Sequence, residues 1–207
     1  MRIIESDACI DEGADWLARR EPRFAAAYAL SRPLPLRRFA DGYGRLLSSI
    51  VSQQVSVASA AAIWGRLEAR GLTTPEAVLA TSDDDLRAVG LSRQKVRYAK
   101  ALAAEPIDYP ALRGLPTAEV VARLTHVPGI GVWTAEIYAM FALGHADAFA
   151  AGDMALQEGA RLLFDLPERP KEKPLRALAE PWSPWRAVAA RILWAHYHVA
   201  KSREGVR

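Results

Sequence analysis

Residues 126–135 read HVPGIGVWTA, and this stretch is the most informative part of the sequence about the fold. Pro128, Gly129 and Gly131 interrupt two helix-like segments, AEVVARLTHV before them and VWTAEIYAMFAL after them. Glycine accepts the positive φ angles of a tight turn and leaves the backbone uncovered, so the pattern predicts two helices joined by a hairpin turn. Uncovered N–H groups beside a helix start bind anions such as phosphate. The stretch is therefore either a structural corner or a surface that receives a phosphodiester without contact to any base.

Outside this stretch, helix-like segments alternate with Pro, Gly, Ser and Thr punctuation, and strand signals are scarce. Long helical segments are predicted at residues 13–29, 44–70 and 185–200. Hydroxyl side chains stand where N-caps are expected, at Thr74, Ser82, Ser92 and Thr117. We therefore expect an all-α protein of around ten helices.

The composition restricts the class of protein. Hydrophobic residues make up 51% of the 207 residues, enough for a buried core. No apolar run approaches the roughly 18 residues that span a bilayer. The first residues are acidic and lack the apolar core of a secretory signal. We therefore expect a cytoplasmic protein without a membrane partner. Cys9 is the only cysteine, which excludes an intramolecular disulfide and an iron–sulfur cluster held by cysteines. The net charge is only +3, but basic residues gather at 32–45, 87–100, 169–176 and 186–207, which fits a polyanionic partner and also many ordinary soluble proteins.

An aspartate follows the hairpin. Asp153 stands in FAAGDMALQ, twenty residues after Trp133, and directly precedes a good helix. Taken alone, it is best explained as the N-cap of that helix. A hairpin, a twelve-residue helical segment, a loop and an aspartate at the next helix start form a much more specific combination.

Four segments, in this order, resemble the helix–hairpin–helix (HhH-GPD) DNA glycosylases, and most of all their 3-methyladenine DNA glycosylase II, or AlkA-like, branch. They are LLSSIVSQQVSVASAAAI (residues 46–63), GLSRQKVRYAKALA (90–103), LTHVPGIGVWTAEIYAMFALGHADAFAAGDMALQ (124–157) and WSPWRAVAARILWAHY (182–197). The resemblance covers roughly residues 40–200 and implies a two-lobed helical fold with the active-site cleft between the lobes.

The resemblance also implies a domain organisation, a single compact unit over residues 1–207. Residues 1–40 would be an N-terminal helical extension packed on the second lobe. Residues 41–115 would form a helical lobe with the DNA wedge, and residues 116–207 a lobe with the hairpin, the catalytic aspartate and the C-terminal helix. The β-rich N-terminal domain of larger family members is expected to be absent.

By this resemblance Asp153 takes the place of the catalytic aspartate. Breaking an N-glycosidic bond leaves an oxocarbenium-like sugar, which a carboxylate stabilises while it orients or deprotonates the attacking water. Trp133 stands where lyase-competent relatives have a lysine that forms a Schiff base with the sugar. The resemblance therefore implies a monofunctional hydrolase without AP-lyase activity.

Two tryptophans match aromatic positions that line the base pocket of this branch. Trp133 and Trp194 offer electron-rich faces to positively charged alkylated bases, an attraction of up to ~2 kcal/mol when desolvated. The alternative for both is core packing, which is also what we expect of Trp182 and Trp185. Ile137 stands where the family often has a pocket tyrosine, which leaves the choice of base open.

Gln54 matches the position of the wedge residue that fills the gap left by a flipped base. The best-known relatives have a leucine there, so this chain departs from the pattern. An amide can hydrogen-bond to the orphaned partner base, and the alternative is a solvated residue at a helix start. Gln53 and Ser56 could belong to the same contact.

The resemblance also assigns contacts around the hairpin. The positions assigned to the DNA backbone are Val127, Gly129, Ile130 and Gly131, and those assigned to a monovalent sodium or potassium ion, through backbone carbonyls, are Thr125, Val127 and Gly129. Arg93, Lys95 and Arg97 are predicted either to touch phosphates or to be simply solvated. The histidines lack metal-ligand spacing, so we expect no catalytic metal and no other cofactor.

These features predict a monomeric DNA glycosylase of base-excision repair that acts on double-stranded DNA with damaged bases. It would flip an alkylated base of the 3-methyladenine or 7-methylguanine type, hydrolyse its N-glycosidic bond and leave an abasic site. Three alternatives stay open: the same fold acting on hypoxanthine, uracil or alkylated pyrimidines, a non-catalytic DNA-binding protein, and a glycosylase that is also a lyase. Asp153 at this spacing argues against the second.

Overall fold

The computed structural model describes residues 1–204; residues 205–207, the end of the expected C-terminal lobe, lie outside the described residues. The α-helices are α1 (Asp7–Arg20), α2 (Pro22–Ser31), α3 (Tyr43–Ser52), α4 (Val57–Ala69), α5 (Pro75–Ala80), α6 (Asp83–Ala88), α7 (Arg93–Ala104), α8 (Tyr109–Leu112), α9 (Thr117–Thr125), α10 (Val132–Tyr138), α11 (Met154–Leu163), α12 (Glu172–Leu178) and α13 (Arg186–Glu204). Ala139–Leu143 forms a π-helical turn and Glu180–Trp182 a 3₁₀ turn.

The all-α class predicted from the sequence is confirmed. Within residues 1–204, β pairing is limited to one isolated bridge between Ile3 and His145. The thirteen α-helices of this part of the chain exceed the expected number because two predicted segments are each divided into two helices, and because the short helices α8 and α12 are not predicted from the sequence. None of the helices described is long and apolar enough to cross a bilayer.

Two segments that the hydrophobic pattern predicts as single helices are each broken. α1 and α2 are separated at Glu21, whose side chain caps α2, with Pro22 in the first helical position. α3 and α4 are separated by residues 53–56, where Gln54 has a left-handed backbone with φ of 56° and Ser56 caps α4. Apolar residues keep the helical spacing across the second break, so the pattern alone does not reveal it.

Local capping signals are reliable in this chain. The side chains of Thr74, Ser82 and Ser92 each accept a hydrogen bond from the backbone N–H three residues later, as predicted. Thr117 differs from the prediction because it is the first residue of α9 and Pro116 precedes it.

The chain divides into two compact units. Met1–Arg38 and the chain from Ala139 onward form the first unit, and Phe39–Tyr138 form the second. The hairpin thus belongs with the helices that precede it, whereas the expected boundary near residue 115 groups it with the aspartate. The physical reason is that α10 packs on α3 as well as on α9, and that the Tyr138 hydroxyl accepts a hydrogen bond from the Gly42 N–H at 2.8 Å.

In the first unit, α13 packs on α1, α2 and α11. Trp182 and Trp185 are buried, as expected of packing residues. The ring of Trp182 lies 5.2 to 5.7 Å, between centroids, from those of Phe24, Phe149 and Phe164. This aromatic cluster forms a large part of the core of the first unit.

In the second unit, α3 packs on α4, α7 and α10. Its inward face is apolar, and Leu46, Leu47 and Ile50 are fully buried. Lys95 of α7 is only 8% exposed and donates from Nζ to the carbonyl oxygen of Val51 at 2.7 Å. Burial lowers the pKa of Lys95, while its position near the carboxyl end of α3 matches the negative end of the helix dipole.

Candidate functional site

The predicted hairpin lies between α9 and α10. Val127 and Ile130 are 1% and 4% exposed, so their side chains anchor the turn in the second unit. Gly129 has the predicted left-handed backbone, with φ of 92°, and Gly131 is exposed. The four residues assigned to the DNA backbone therefore divide into two buried anchors, one half-buried glycine and one exposed glycine.

Gly129 also lies too close to α7 for any larger residue. A Cβ at this position would lie 2.5 Å from the ring of Tyr98. Its carbonyl oxygen accepts a hydrogen bond of 2.8 Å from Nε2 of Gln53, and the Val127 carbonyl accepts one of 3.0 Å from the Ile130 N–H. A carbonyl oxygen can accept two such bonds, so neither contact excludes the cation that the sequence predicts here.

The histidines were expected to hold no metal. Among residues 1–202, whose side chains the structure describes, no group of three or more His, Cys, Asp or Glu side chains is placed to bind a metal ion. His145 is fully buried in the first unit. Burial, together with the charges of Arg38 and the N-terminal amine, lowers the pKa of His145 to about 4. This imidazole is therefore neutral near pH 7.

Residues 53–56, which we call the wedge turn, join α3 to α4. Gln54 is exposed and has a left-handed φ of 56°, an unfavourable conformation for a residue with a side chain. Val55 and Val57 are 39% and 89% exposed. The single helix predicted over residues 44–70 would place Val57 on the same face as buried Ile50, and this is wrong because a new helix begins at Val57. The wedge turn, the hairpin and the first part of α7 line one groove of about 510 Å³.

Trp133 lies in the first turn of α10 and is 46% exposed. It lines a cavity of about 180 Å³ in the second unit, together with Ile137 and polar side chains of α3. Arg45 is one of these, and its guanidinium lies 4.0 Å from the centroid of the Phe39 ring. Burial lowers the pKa of Arg45. Trp133 thus lies beside a cavity, and Arg45 is a lining residue that sequence reasoning missed.

Asp153 is the N-cap of α11, as its sequence context predicts. Its Oδ1 accepts hydrogen bonds from the N–H groups of Ala155 and Leu156, both at 2.9 Å. The same atom accepts a third bond from the indole Nε1 of Trp194 at 3.1 Å. Three donors on one oxygen fix the orientation of the carboxylate.

Trp194 reaches Asp153 because α11 and α13 approach closely. A Cβ on Gly159 would lie 2.5 Å from the carbonyl oxygen of Leu193, so a side chain at residue 159 would push the two helices apart. Trp194 follows Leu193 on α13, and its ring stacks on Phe141 at a centroid distance of 5.7 Å. The resemblance implies an aromatic base-pocket residue at this position, but it does not reveal that the indole N–H donates to a carboxylate.

The loop that carries Asp153 is anchored within the first unit. Asp147 accepts two hydrogen bonds of 2.7 Å from the guanidinium of Arg186, one on each carboxylate oxygen. Gln157 of α11 donates from Nε2 to the carbonyl of Ala151 at 3.0 Å. These contacts hold the approach to α11 in one conformation, which is what a preorganised catalytic group requires.

A second cavity, of about 170 Å³, lies beside Trp194 in the first unit and is lined by Arg37, Phe141 and Arg191 among others. Arg191 is 3% exposed and donates to two backbone carbonyls at 2.9 and 3.1 Å. Its guanidinium lies 4.8 Å from the centroid of Phe141. Burial, with the charges of Arg37 and Arg38, lowers the pKa of Arg191 to about 10. No sequence signal distinguishes this buried arginine from the solvated ones.

The basic residues at the start of α7 do not act alike. Arg93 and Arg97 are exposed, as either of the two expectations allows. Lys95 is buried against the Val51 carbonyl, so it is not a simply solvated side chain. Lys95 and its neighbour Val96 both lie on the buried face of α7, whereas Arg93 and Arg97 lie on its exposed face.

A turn of uncovered backbone between two helices, followed by a fixed carboxylate at the start of a third, is the arrangement that the resemblance implies. The chain belongs to the HhH-GPD superfamily of base excision DNA repair proteins, whose family pattern matches residues 47–184.

Particular relatives are similar over most of their length. The chain is 30% identical to DNA-3-methyladenine glycosylase 1 of Schizosaccharomyces pombe over 176 residues, 81% of this chain and 77% of the relative. The solved structure of a Schizosaccharomyces pombe 3-methyladenine DNA glycosylase in complex with abasic DNA has a TM-score of 0.77, at 27% identity, over 88% of this chain and 95% of that chain. A DNA-3-methyladenine glycosidase from Bacillus halodurans has a TM-score of 0.85, at 31% identity, over 98% of this chain and 95% of that chain.

Proposed function

We propose that this protein is a monofunctional DNA glycosylase of base-excision repair that hydrolyses the N-glycosidic bond of alkylated bases in double-stranded DNA. The observation that carries the proposal is the Asp153 carboxylate, which three donors fix at the start of α11. Relatives that are named 3-methyladenine glycosylases support alkylated purines as the substrates. One such relative is bound to abasic DNA, which is the product of this reaction.

Asp153 is the proposed catalytic residue. Departure of the base leaves positive charge on the sugar, and a fixed carboxylate stabilises that charge without having to reorient during the reaction. The same carboxylate orients or deprotonates the water that completes hydrolysis. A cationic alkylated base is a good leaving group, so the mechanism needs no separate acid. Trp133 has no amine, so the protein has no Schiff-base route at that position.

Trp133 and Trp194 are the proposed contacts of the flipped base. Each lines a cavity in its own unit, of about 180 and 170 Å³ respectively. Indole faces attract the positive charge of 3-methyladenine and 7-methylguanine in DNA. Trp194 would serve twice, because its ring faces a cavity while its N–H holds Asp153.

A second substrate class has its own support in the arginines beside these tryptophans. Arg45 lines the cavity of Trp133, and Arg191 lines the cavity of Trp194. A guanidinium repels a cationic base and donates well to acceptors such as O6 and N7 of a purine. Hypoxanthine, which is neutral and carries both acceptors, is therefore the alternative substrate to test beside the alkylated purines.

The hairpin and the wedge turn are the proposed DNA contacts. The uncovered backbone at Gly129 and Gly131 would bind a phosphate, with a monovalent cation held by the carbonyls of Thr125, Val127 and Gly129. Gln54 would fill the gap left by the flipped base, and exposed Val55 adds the apolar surface that an amide lacks. We further propose that the protein works as a cytoplasmic monomer with no other cofactor.

Base release tests the function. Duplex DNA treated with a methylating agent, and a duplex with one hypoxanthine, are incubated with the wild type and Asp153→Asn, and the released bases are identified by chromatography. Asparagine is a good N-cap, so the variant should keep the start of α11. We expect the wild type to release alkylated purines and the variant to be at least ~100-fold slower, the usual cost of losing a charge-stabilising group.

The matched control is Asp147→Asn, which makes the same chemical change in the same loop. It should lower thermal stability through the loss of the Arg186 ion pair and should still release bases. Wild-type rates for Asp153→Asn would refute the mechanism. A wild type that releases no base would refute the function, and trapping of an enzyme–DNA complex with borohydride would refute its monofunctional character.

A further inference from the structure

One side chain joins the wedge turn to the hairpin. Gln53, the C-cap of α3, donates from Nε2 to the carbonyl oxygen of Gly129 at 2.8 Å, across 76 residues of sequence. The bond lies in the groove of about 510 Å³ that both elements line. The sequence suggests that Gln53 touches DNA beside Gln54, but in the structure its amide is turned onto the hairpin.

The hairpin end of this bond is firmly held. Gly129 packs so closely on Tyr98 that a Cβ would lie 2.5 Å from the ring. Val127 and Ile130 are buried on either side of the tip. The Gly129 carbonyl is therefore an acceptor whose position is fixed by the packing of α7, α9 and α10.

The wedge end is held by fewer contacts. The Gln53 N–H donates to the Ile50 carbonyl at 3.3 Å, and regular structure resumes only after Ser56, which caps α4. Between them, Gln54 has the left-handed φ of 56°, which a residue with a side chain adopts only when its surroundings impose it. The bond from Gln53 to the hairpin is a contact that can impose this conformation.

We propose that Gln53 is a positioning residue that sets the wedge by fixing the wedge turn to the hairpin. This inference rests on the proposed function and deepens it. If the hairpin holds the DNA backbone, a wedge tied to a hairpin carbonyl stands at a fixed distance from the bound phosphate. Gln54 and Val55 then meet the duplex in one register, and the bond contributes to base flipping, the step in which the stack opens.

Two variants and two duplexes test this role. Gln53→Met keeps the length of the side chain and removes the donor, and Gln53→Glu places an acceptor against the carbonyl. Single-turnover base release is measured with the lesion opposite its normal partner, or opposite an abasic site that makes flipping easy. We expect a loss of about fivefold to tenfold on the paired lesion, the value of one hydrogen bond, and less than about twofold on the unpaired one.

The matched control is Gln94→Met. It removes a hydrogen bond from the Gln94 amide to the Tyr98 hydroxyl, which lies in the same groove but connects two residues of α7. It should leave the ratio of the two rates unchanged. Equal losses on both duplexes, or no loss on either, would overturn the proposal. Failure of both Gln53 variants to unfold cooperatively on heating would also overturn it, because the bond would then serve stability alone. A wild type inactive on both duplexes would instead overturn the proposed function.

Discussion

Trp194 uses two separate properties of indole. Its ring is the π-face that the sequence predicts for a base pocket, and it stacks on Phe141. Its N–H supplies the third donor to Oδ1 of Asp153, a bond that neither phenylalanine nor leucine could make. Under the proposed function, the residue would link the recognition of a base to the orientation of the carboxylate.

We expect Trp194→Phe to slow base release about tenfold to hundredfold, because a hydrogen bond to a charged group is worth roughly 1.5–3 kcal/mol and the new ring still meets Phe141. Single-turnover rates at saturating enzyme separate this step from binding. Trp182→Phe makes the same change in the buried aromatic cluster and is the control. It should lower the midpoint of thermal unfolding and leave the rate intact. An unchanged rate for Trp194→Phe would show that the indole N–H does not position Asp153.

The two glycines of the hairpin are under different constraints. Gly129 combines φ of 92° with its contact to Tyr98, so the fold itself requires it. Gly131 has neither constraint, because a Cβ there would meet nothing within 4 Å. Under the proposed function, the lack of a side chain at residue 131 leaves room for the DNA phosphate at the turn.

These roles predict opposite results for two alanine variants. Gly129→Ala should lower the free energy of unfolding by more than about 2 kcal/mol, through backbone strain and overlap with Tyr98. Gly131→Ala should change it by less than about 0.5 kcal/mol and yet bind duplex DNA several-fold more weakly. Urea unfolding and fluorescence anisotropy with a labelled duplex measure the two quantities. If Gly131→Ala binds DNA like the wild type, the hairpin tip is not the surface that holds the phosphate.

Much of the architecture can be predicted from local sequence signals. Thr74, Ser82 and Ser92 cap helices where predicted, because a cap depends only on a side chain and the next three residues. The hairpin and the aspartate are also local signals, and Asp153 is indeed the start of α11. These elements suffice to predict the helical class and the family resemblance.

Other features depend on contacts between distant residues and could not be predicted in this way. The left-handed Gln54 has no local signature, so α3 and α4 look like one helix in the hydrophobic pattern. Grouping of the hairpin with α3 depends on the packing of α10. Arg45 and Arg191 are charged residues like any others until the fold places each guanidinium over an aromatic ring.

The stability of the first unit should depend on pH through His145. Its pKa is about 4 in the folded protein, against 6.5 for the unperturbed side chain. Between these values the unfolded chain binds a proton that the folded protein does not. The free energy of unfolding therefore falls as the pH falls from 6.5 to 4, by about 3 kcal/mol from this residue.

Thermal unfolding from pH 7 to pH 4 measures this effect, with His145→Gln as the test variant and His126→Gln, at an exposed histidine, as the control. We expect His145→Gln to be less stable at pH 7 and to lose less stability on acidification than the wild type. The control should follow the wild-type curve. Parallel curves for wild type and His145→Gln would assign the acid sensitivity to other groups.

The close approach of α11 and α13 has a consequence for how this enzyme can evolve. Gly159 has no side chain and lies inside the protein, yet any substitution would add atoms where the Leu193 backbone already lies. Such a mutation would move the indole of Trp194 away from Asp153 and produce a repair-deficient allele from a site that touches no DNA. Under the proposed function, substitutions around the two cavities would change which lesion the enzyme accepts. The steric constraint on residue 159 would stay the same whichever lesion that is.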